Sequence, residues 1–260
     1  MSKSILITGS TDGIGFEAAK ELAAQGARVI LHGRSAAKLE KARAAVPGAL
    51  GAILSDLSHR DGVEELARET HALAPALDVL INNAGIYKTA EPILASGHDI
   101  RFVVNTLAPY ALTRALLPSM PASGRVINLS SAAQAPLDFN ALNGARRLEE
   151  FGAYAQSKLA ITALTAALAR EHSQLFVSVN PGSLLATKMV REGFGVSGND
   201  INIGRDILIE AALSDRFEDR SGAYFDNDAR AFAPLHPGVA AANKEGQLLA
   251  ALDRLFADWR

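Results

Sequence analysis

Tyr154 and Lys158 form the pair of side chains with the clearest chemical potential in this sequence of 260 residues. Because they are four positions apart, they would lie on one face of a helix. A tyrosine with an ordinary pKa near ~10 is a poor proton-transfer group at neutral pH, but a nearby ammonium favours the phenolate. The pair could therefore act as an acid/base couple. The alternative interpretation is an ordinary exposed pair on a helix surface.

Other polar side chains occur where predicted strands end. Ser130 and Ser131 follow one short β-branched run, Asn82–Gly85 follow another, and Asn105 lies within a long helical pattern. A serine at the carboxyl edge of an α/β sheet faces the crevice where such sheets bind ligands. Its hydroxyl could hold a substrate oxygen while a tyrosine donates a proton. The alternatives are a hydrophilic turn for the serine pair and, for the asparagine, a buried amide bonded to local backbone.

A glycine-rich loop, Thr8–Gly15, lies between the first predicted strand and the first predicted helix. Its glycines have the spacing Gly-x3-Gly-x-Gly. Glycines let backbone amides approach a pyrophosphate, and the helix N-terminus adds partial positive charge behind them. A plain glycine-rich connector is the rival interpretation, but the position at the first strand–helix junction favours a dinucleotide site.

The second predicted strand ends in His32-Gly33-Arg34-Ser35, where an NAD site normally carries an acid, about 20 residues beyond the glycines. A carboxylate would repel a 2′-phosphate, whereas a guanidinium binds one through charge-assisted hydrogen bonds. Arg34 therefore favours NADP(H) over NAD(H). A solvated surface arginine is the alternative.

Short apolar runs alternate with longer helical patterns along the chain. Strands are predicted at residues 4–8, 27–31, 49–54, 77–81, 125–129, 175–179 and 223–225, and helices at residues 16–25, 36–45, 60–72, 100–117 and 159–170. Such alternation is typical of βαβ units with right-handed crossovers. The sequence therefore predicts an α/β fold of the Rossmann type: a doubly wound, mostly parallel, seven-stranded sheet with helices on both faces.

Composition limits the class of protein. Lys and Arg total 26 and Asp and Glu total 28, a net charge of −2, so no basic surplus suggests nucleic-acid binding. The absence of cysteine excludes disulfides and suits a reducing cytoplasm, where we expect the protein to reside. No apolar stretch approaches the ~20 residues that span a bilayer, which predicts a soluble protein. The histidines lack metal-ligand spacing, so no metal site is predicted.

Together these residues resemble the short-chain dehydrogenase/reductase family over nearly the whole chain. The matching segments, in order, are Thr8–Gly15, Asp56-Leu57, Asn82–Gly85, Asn105, Ser131, Tyr154-x3-Lys158 and Pro181-Gly182. The resemblance implies one NAD(P)-binding domain over residues 1–260, with a substrate loop at about 186–205. It also implies an NADP(H)-dependent oxidoreductase that interconverts a carbonyl and an alcohol. A non-catalytic NADP(H)-binding regulator, or an epimerase or dehydratase on the same fold, are the alternatives.

The resemblance also implies a role for each matching residue. Tyr154 would be the acid/base, Lys158 would lower its pKa and hold the nicotinamide ribose, and Ser131 would be the catalytic serine. Asn105 would orient a water that relays protons through the lysine. The cofactor would lie along Gly9, Ser10, Thr11, Asp12, Gly13, Ile14, Gly15, Arg34, Asp56, Leu57, Asn83, Ala84, Gly85, Tyr154, Lys158, Pro181, Gly182, Leu184 and Thr187.

Three further features of the sequence indicate the branch of the family, the oligomeric state and the class of substrate. The interval from Ser131 to Tyr154 is 23 residues, longer than is usual in the family, so Phe139–Phe151 must form an excursion beside the site. That excursion, with Gly222–Phe225, resembles the retinol-dehydrogenase-like branch. An alanine- and leucine-rich helix, residues 159–169, commonly packs against its copy in this family, which implies a homodimer or homotetramer. A partly apolar substrate is suggested by Leu137, Phe139, Met189, Val190 and Phe194.

Overall fold

The structure is a computed structural model that describes residues 2–259, apart from the side chain of Phe194. Its strands are β1 (Ser4–Ile7), β2 (Arg28–Gly33), β3 (Gly51–Leu54), β4 (Val79–Asn82), β5 (Arg125–Leu129), β6 (Leu175–Asn180), β7 (Tyr224–Asp226) and β8 (Ala231–Ala233). They form one sheet in the order β3-β2-β1-β4-β5-β6-β7-β8, parallel except for the last pair. The predicted doubly wound, mostly parallel sheet is confirmed.

The sheet has eight strands among the described residues, not the predicted seven. The additional strand, β8, is three residues long and pairs with β7 as a hairpin. Phe232 of β8 packs edge-on against Phe225 of β7, with 5.1 Å between ring centroids. A strand of three residues is too short to show a recognisable alternation of apolar and polar residues in the sequence. Its pairing with β7 and this aromatic contact are both tertiary features.

The helices cover both faces of the sheet. They are α1 (Gly13–Ala24), α2 (Ala36–Ala45), α3 (Arg60–Leu73), α4 (Ile100–Phe102), α5 (Ala108–Leu116), α6 (Phe139–Leu142), α7 (Glu150–Glu171), α8 (Lys188–Phe194), α9 (Asn202–Leu213), α10 (Gly238–Ala242) and α11 (Gln247–Asp258). A π-helical segment, Val103–Leu107, joins α4 to α5. Short 3-10 turns occupy Leu117–Ser119, Asp215–Phe217 and Lys244–Gly246.

Two apolar cores lie on opposite faces of the sheet. On one face, Leu66 of α3, Leu112 of α5 and Leu164 of α7 belong to a core that also includes residues of α10 and α11. On the other face, Leu22 of α1 and Leu208 of α9 pack together with residues of α2. Buried strands between two helical layers explain why the strand sequences are continuously apolar rather than alternating.

Helix α7 is enclosed by the chain's own C-terminal helices. Nearly every residue from Ala153 to Leu168 is buried within the single chain, and both α10 and α11 pack against this helix. The alanine- and leucine-rich pattern that predicted a second subunit therefore has an intramolecular explanation. Within residues 2–259, none of the helices is long and apolar enough to cross a membrane.

Candidate active site

The carboxyl ends of the central strands meet at one edge of the sheet, where a cavity of about 380 Å³ opens. Because connections leave β1 and β4 in opposite directions, this edge is the switch point at which such sheets bind ligands. The predicted site residues that line the cavity are Gly9, Thr11, Asp12, Gly13, Ile14, Arg34, Asp56, Leu57, Asn83, Ala84, Gly85, Tyr154, Lys158, Pro181 and Thr187. The predicted residues outside this lining are Ser10, Gly15, Asn105, Ser131, Gly182 and Leu184.

Helix α7 places Tyr154 and Lys158 one turn apart at the inner end of the cavity. The Lys158 Nζ donates a hydrogen bond to the Leu129 carbonyl at the end of β5, at 2.8 Å. The same Nζ lies 5.7 Å from the centroid of the Tyr154 ring. Burial lowers the pKa of Lys158 to about 8 because it disfavours the ammonium. The lysine is therefore held by the sheet beside the phenol.

The Ser131 side chain lies next to the Tyr154 phenol. Burial raises the pKa of Tyr154, while a hydrogen bond from Ser131 acts in the opposite direction. The Ser131 Oγ accepts a hydrogen bond from the Ala133 main-chain N–H at 3.1 Å. The Ala133 contact uses one lone pair of the oxygen and leaves the serine hydrogen available for donation to the phenol. The phenol, the ammonium and the hydroxyl thus converge from α7 and the loop after β5.

Ser130 has a different environment from its neighbour. Its hydroxyl is buried and lies 2.6 Å from the Thr162 hydroxyl, and it also contacts the Lys158 carbonyl at 3.2 Å. These bonds attach the end of β5 to α7. Ser130 therefore secures the helix that carries the tyrosine, and Ser131 is the serine positioned for chemistry.

Asn105 lies in the π-helical segment, and its amide bonds the backbone of Ile86, 19 residues earlier in the chain. Its Oδ1 accepts from the Ile86 N–H at 2.8 Å, and its Nδ2 donates to the Ile86 carbonyl at 3.0 Å and to the Ser157 hydroxyl at 2.9 Å. The Asn105 Oδ1 and the Lys158 Nζ lie 3.4 and 3.5 Å from the position that a Cβ on Gly85 would take. The absent side chain of this glycine leaves space between the two groups.

The glycine loop turns closely around the start of α1. A Cβ on Gly15 would lie 2.3 Å from the Nδ2 of Asn83, whose amide donates to the Thr8 and Gly9 carbonyls at 2.8 and 3.0 Å. Two of the first N–H groups of α1 have partners from Asp12: its carboxylate accepts from Gly13 and its carbonyl from Phe16. Within residues 2–259, the N–H groups of Ile14 and Gly15 have no protein acceptor. They are available to an anion.

His32, one of the histidines for which the sequence predicts a surface or loop position, is instead buried and connects three strand ends beneath this loop. Its Nδ1 accepts from the Gly9 N–H at 3.0 Å, and its Nε2 donates to the Ser55 carbonyl at 3.2 Å. The buried Ser10 hydroxyl accepts from the His32 N–H at 2.9 Å, so this serine side chain faces the protein interior. These contacts fix the loop and require the neutral imidazole, with its hydrogen on Nε2.

We expect acidification to destabilise the protein through His32. Burial lowers its pKa to about 4 from an ordinary value of 6.5. Between these values the unfolded chain binds a proton that the folded chain does not bind, so lowering the pH favours unfolding. From pH 7 to pH 4.5, this histidine should reduce the free energy of unfolding by roughly 2.5 kcal/mol. Urea titrations at both pH values measure that change.

The comparison variant for this prediction is His32→Gln, whose amide can donate and accept without titrating. It should lose roughly 2.5 kcal/mol less than the natural chain over the same pH interval. His59→Gln, at an exposed position, should behave like the natural chain. An equal loss of stability in all three proteins would contradict the role assigned to His32.

Two cations lie at the opposite end of the cavity from Tyr154. Arg34 is exposed, and within the described chain no carboxylate lies at ion-pair distance from it. Lys38, in the first turn of α2, forms an ion pair with Asp12 at 2.9 Å. Burial alone would raise the pKa of Asp56, but hydrogen bonds from Ser58 and the charge of Arg34 lower it. Lys38 is not among the residues predicted from the sequence, although it lies only four positions after Arg34.

The turn after β6 is held by the β7–β8 hairpin. Asn227 donates to the Pro181 carbonyl at 2.9 Å, and Asp228 accepts from the Ser183 N–H at 2.8 Å. Leu184 is exposed and has a positive φ of 51°. Thr187 begins α8, where its hydroxyl accepts from the Val190 N–H at 3.2 Å. Thr187 thus lines the cavity, and Leu184 lies outside its lining.

The predicted substrate loop is a closed segment with α8 at its centre. Asn199 fastens its two ends, because its N–H donates to the Leu184 carbonyl at 2.6 Å and its carbonyl accepts from the Ala186 N–H at 2.8 Å. Of the residues predicted to form an apolar pocket, Met189 lines the cavity. Leu137 and Phe139 pack against a core and Val190 is buried. The side chain of Phe194 lies outside the described part of the structure.

Tyr87 is a further site residue that the sequence does not indicate. Its ring packs edge-on against Tyr154, with 5.0 Å between the ring centroids. On its other side, a Cβ on Gly193 would lie 2.6 Å from the Tyr87 Cε1. Tyr87 therefore lies between α8 and the candidate acid/base. A tyrosine two residues after Gly85 carries no sequence signal by itself.

Comparisons with known proteins show the family of the chain. The profile of the family described as short chain dehydrogenase matches residues 3–194. An uncharacterized oxidoreductase of Emericella nidulans is 34% identical over 252 residues, which cover 94% of this chain and 93% of the relative. Retinol dehydrogenase 13 of Homo sapiens is 31% identical over 254 residues, which cover 86% of this chain and 76% of the relative.

A solved structure shares the fold. The short chain dehydrogenase of Escherichia coli CFT073 in complex with NADPH has a TM-score of 0.71 and 27% identity, covering 86% of this chain and 96% of that one. The chain therefore belongs to the short-chain dehydrogenase/reductase family, a family of oxidoreductases. Within that family it is a member of the retinol-dehydrogenase-like branch.

Proposed function

We propose that this protein is an NADP(H)-dependent oxidoreductase that interconverts a carbonyl and an alcohol, with Tyr154 as the acid/base. The observation that carries the proposal is the convergence of three groups: the Tyr154 phenol, the Lys158 ammonium and the Ser131 hydroxyl. The phenol and the ammonium line one end of a cavity whose other end carries the Arg34 guanidinium, and the serine hydroxyl adjoins the phenol. A binding protein without chemistry has no need of this convergence.

The residues present fit a dinucleotide. The unpaired N–H groups of Ile14 and Gly15 suit a pyrophosphate at the start of α1. Asp56 and Leu57 line the cavity where an adenine would lie, and Pro181 lines it at the nicotinamide end. When bound, the nicotinamide supplies or accepts the hydride.

Each residue of the converging set has one task in carbonyl reduction. The Tyr154 hydroxyl donates its proton to the substrate oxygen, and the Ser131 hydroxyl donates a hydrogen bond to the same oxygen. The Lys158 ammonium stabilises the phenolate that remains. With a pKa of about 8, this lysine keeps its charge at neutral pH. In alcohol oxidation the proton moves in the opposite direction.

Asn105 orients the water that returns protons to Lys158. Both hydrogens of its Nδ2 are donated to protein acceptors. Its Oδ1 accepts from Ile86 through one lone pair and keeps a second lone pair, next to the space beside Gly85 that also adjoins the lysine. That lone pair is the available acceptor for such a water.

Preference for NADP(H) rests on Arg34, with Lys38 as its neighbour. The guanidinium has no competing carboxylate at ion-pair distance in the described chain, so it is available to a 2′-phosphate. The neighbouring Lys38 adds positive charge while neutralising Asp12. The solved Escherichia coli relative binds NADPH, in agreement with this preference.

The substrate is proposed to be a small carbonyl or alcohol with a partly apolar body, because Ile86 and Met189 line the cavity near Tyr154. The cytoplasmic location and the homo-oligomer stay predictions from the sequence. The burial of α7 inside one chain supplies no support for the oligomer.

The decisive experiment follows NADPH and NADH absorbance over a panel of aliphatic and aromatic aldehydes and ketones. Retinal belongs in the panel because the Homo sapiens relative is named a retinol dehydrogenase. We expect at least one apolar carbonyl to be reduced, with a higher kcat/KM for NADPH than for NADH. Failure of every carbonyl with both cofactors, or conversion of a substrate without net cofactor consumption, would refute the proposal.

A further inference from the structure

Tyr224, on the strand at the edge of the parallel sheet, reaches the loop that carries Ser131. Its hydroxyl donates to the Ser131 main-chain carbonyl at 3.2 Å, across 93 residues of sequence. The Gln134 Nε2 donates to the same carbonyl at 3.0 Å. Two donors from different elements therefore fix the peptide group that follows the serine.

The fixed peptide determines where the serine hydroxyl points. With its carbonyl held by Tyr224 and Gln134, Ser131 turns its Oγ toward the Ala133 N–H, which donates to it at 3.1 Å. The hydrogen of the hydroxyl is then available for donation to Tyr154, whose pKa Ser131 lowers against the effect of burial. Loss of the Tyr224 contact leaves one donor on the carbonyl and lets this orientation vary.

The Tyr224 hydroxyl is suited to act as a hydrogen-bond donor that keeps its proton. Its ring is buried, and burial together with the charges of Asp226 and Asp228 raises the pKa of its hydroxyl, which a hydrogen bond with Gln134 opposes. The hydroxyl therefore stays protonated throughout the pH range in which an enzyme works. It lies on the main-chain side of Ser131 and is not among the residues that line the cavity.

We propose that Tyr224 is a positioning residue for the reaction, which holds the Ser131 peptide so that the serine hydroxyl donates to the acid/base in the free site and to the substrate oxygen once substrate is bound. The proposal rests on the proposed function and adds to it a residue from the β7–β8 hairpin.

The test is Y224F, which removes only the hydroxyl. We expect kcat to fall about 10-fold, with the KM for NADPH changed less than about twofold. Because Tyr154 loses a correctly directed hydrogen bond, the apparent pKa on the acidic limb of kcat/KM for alcohol oxidation should rise by about 1. The charged and titratable groups against Tyr154, namely Lys158 and Tyr87, are the same in both proteins.

Y110F is the matched control. The Tyr110 hydroxyl donates to Asp253 at 2.6 Å and accepts from Arg114 at 2.9 Å, away from the cavity, so this variant also loses the hydrogen bonds of a tyrosine hydroxyl. Both variants should lower Tm by a few degrees, but Y110F should keep the natural kcat and pH profile. A second comparison places Y224F in an S131A background. There it should change kcat less than about twofold, since its effect passes through the serine hydroxyl.

Each outcome has a definite meaning. The positioning role is overturned if Y224F lowers Tm but has the same kcat and pH profile as the natural chain. It is also overturned if the double variant loses kcat by the product of the two single-variant losses. In both cases the proposed function stands, because it is judged by turnover of the natural chain and its loss in S131A. If the natural chain reduces no carbonyl, the proposed function fails, and the positioning role fails with it.

Discussion

Replacing Tyr154 by phenylalanine should lower kcat by about 10²- to 10⁴-fold while leaving NADPH affinity within about twofold of the natural value. The substitution removes the oxygen that exchanges the proton and keeps the ring. The edge-on contact with Tyr87, at 5.0 Å between centroids, and the position of Lys158 beside the ring are retained. Cofactor binding should survive because the glycine loop and Arg34 lie elsewhere along the cavity.

Steady-state rates with the best carbonyl of the panel, together with NADPH fluorescence titrations, measure the two quantities separately. Y110F serves again as the control, because it too removes one phenolic hydroxyl but lies outside the cavity lining. Full turnover by the Tyr154 variant would defeat the assignment of the acid/base. A loss of NADPH binding equal to the loss of rate would show that the phenol supports the cofactor and not the proton transfer.

Replacing Arg34 by glutamate should lower kcat/KM with NADPH by about 10²-fold and change the value with NADH by less than about threefold. The guanidinium provides a forked donor for a 2′-phosphate, and the new carboxylate would repel that group. Asp56, whose pKa the arginine helps to lower, then acquires a like-charged neighbour instead. The ratio of kcat/KM for the two cofactors should therefore fall sharply, or invert.

Arg28→Glu is the matched control because it makes the same change of charge on the same strand. Arg28 begins β2 and is exposed, whereas Arg34 directly follows the strand at the cavity. The control variant should keep the natural ratio of kcat/KM for NADPH and NADH. An equal loss with NADPH and NADH in the Arg34 variant would indicate a general effect on the site. No loss with NADPH would indicate a solvated arginine without a role in binding.

Much of the fold was predictable because strand burial and helix composition are local properties. The predicted helix at residues 36–45 and the predicted strand at residues 125–129 have the observed bounds. The predicted helix at residues 100–117 is instead interrupted by a π-helical segment. Asn105 lies there and bonds the backbone of Ile86, which is a tertiary contact that no local pattern contains.

The residues of the candidate site also fall into two groups, those that the sequence indicates and those that only tertiary contacts reveal. The spacing of Tyr154 and Lys158, and the position of Ser131 after a strand, could be recognised in the sequence. His32, Tyr87 and Tyr224 could not, because each acts through a partner distant in sequence: Gly9, Tyr154 and Ser131, respectively. Residues that touch reactants follow motifs, and those that hold these residues in place are determined by packing.

The enclosure of α7 by α10 and α11 also bears on synthesis. On the ribosome, residues 150–171 emerge well before residues 238–258. The helix that carries Tyr154 is therefore synthesised before α10 and α11, which pack against it in the folded protein. During that delay its alanine- and leucine-rich face is open to nascent neighbours. A group of slowly translated codons before the segment that encodes α10 would lengthen the time for which this surface of α7 is exposed. The yield of native protein in cells should then fall.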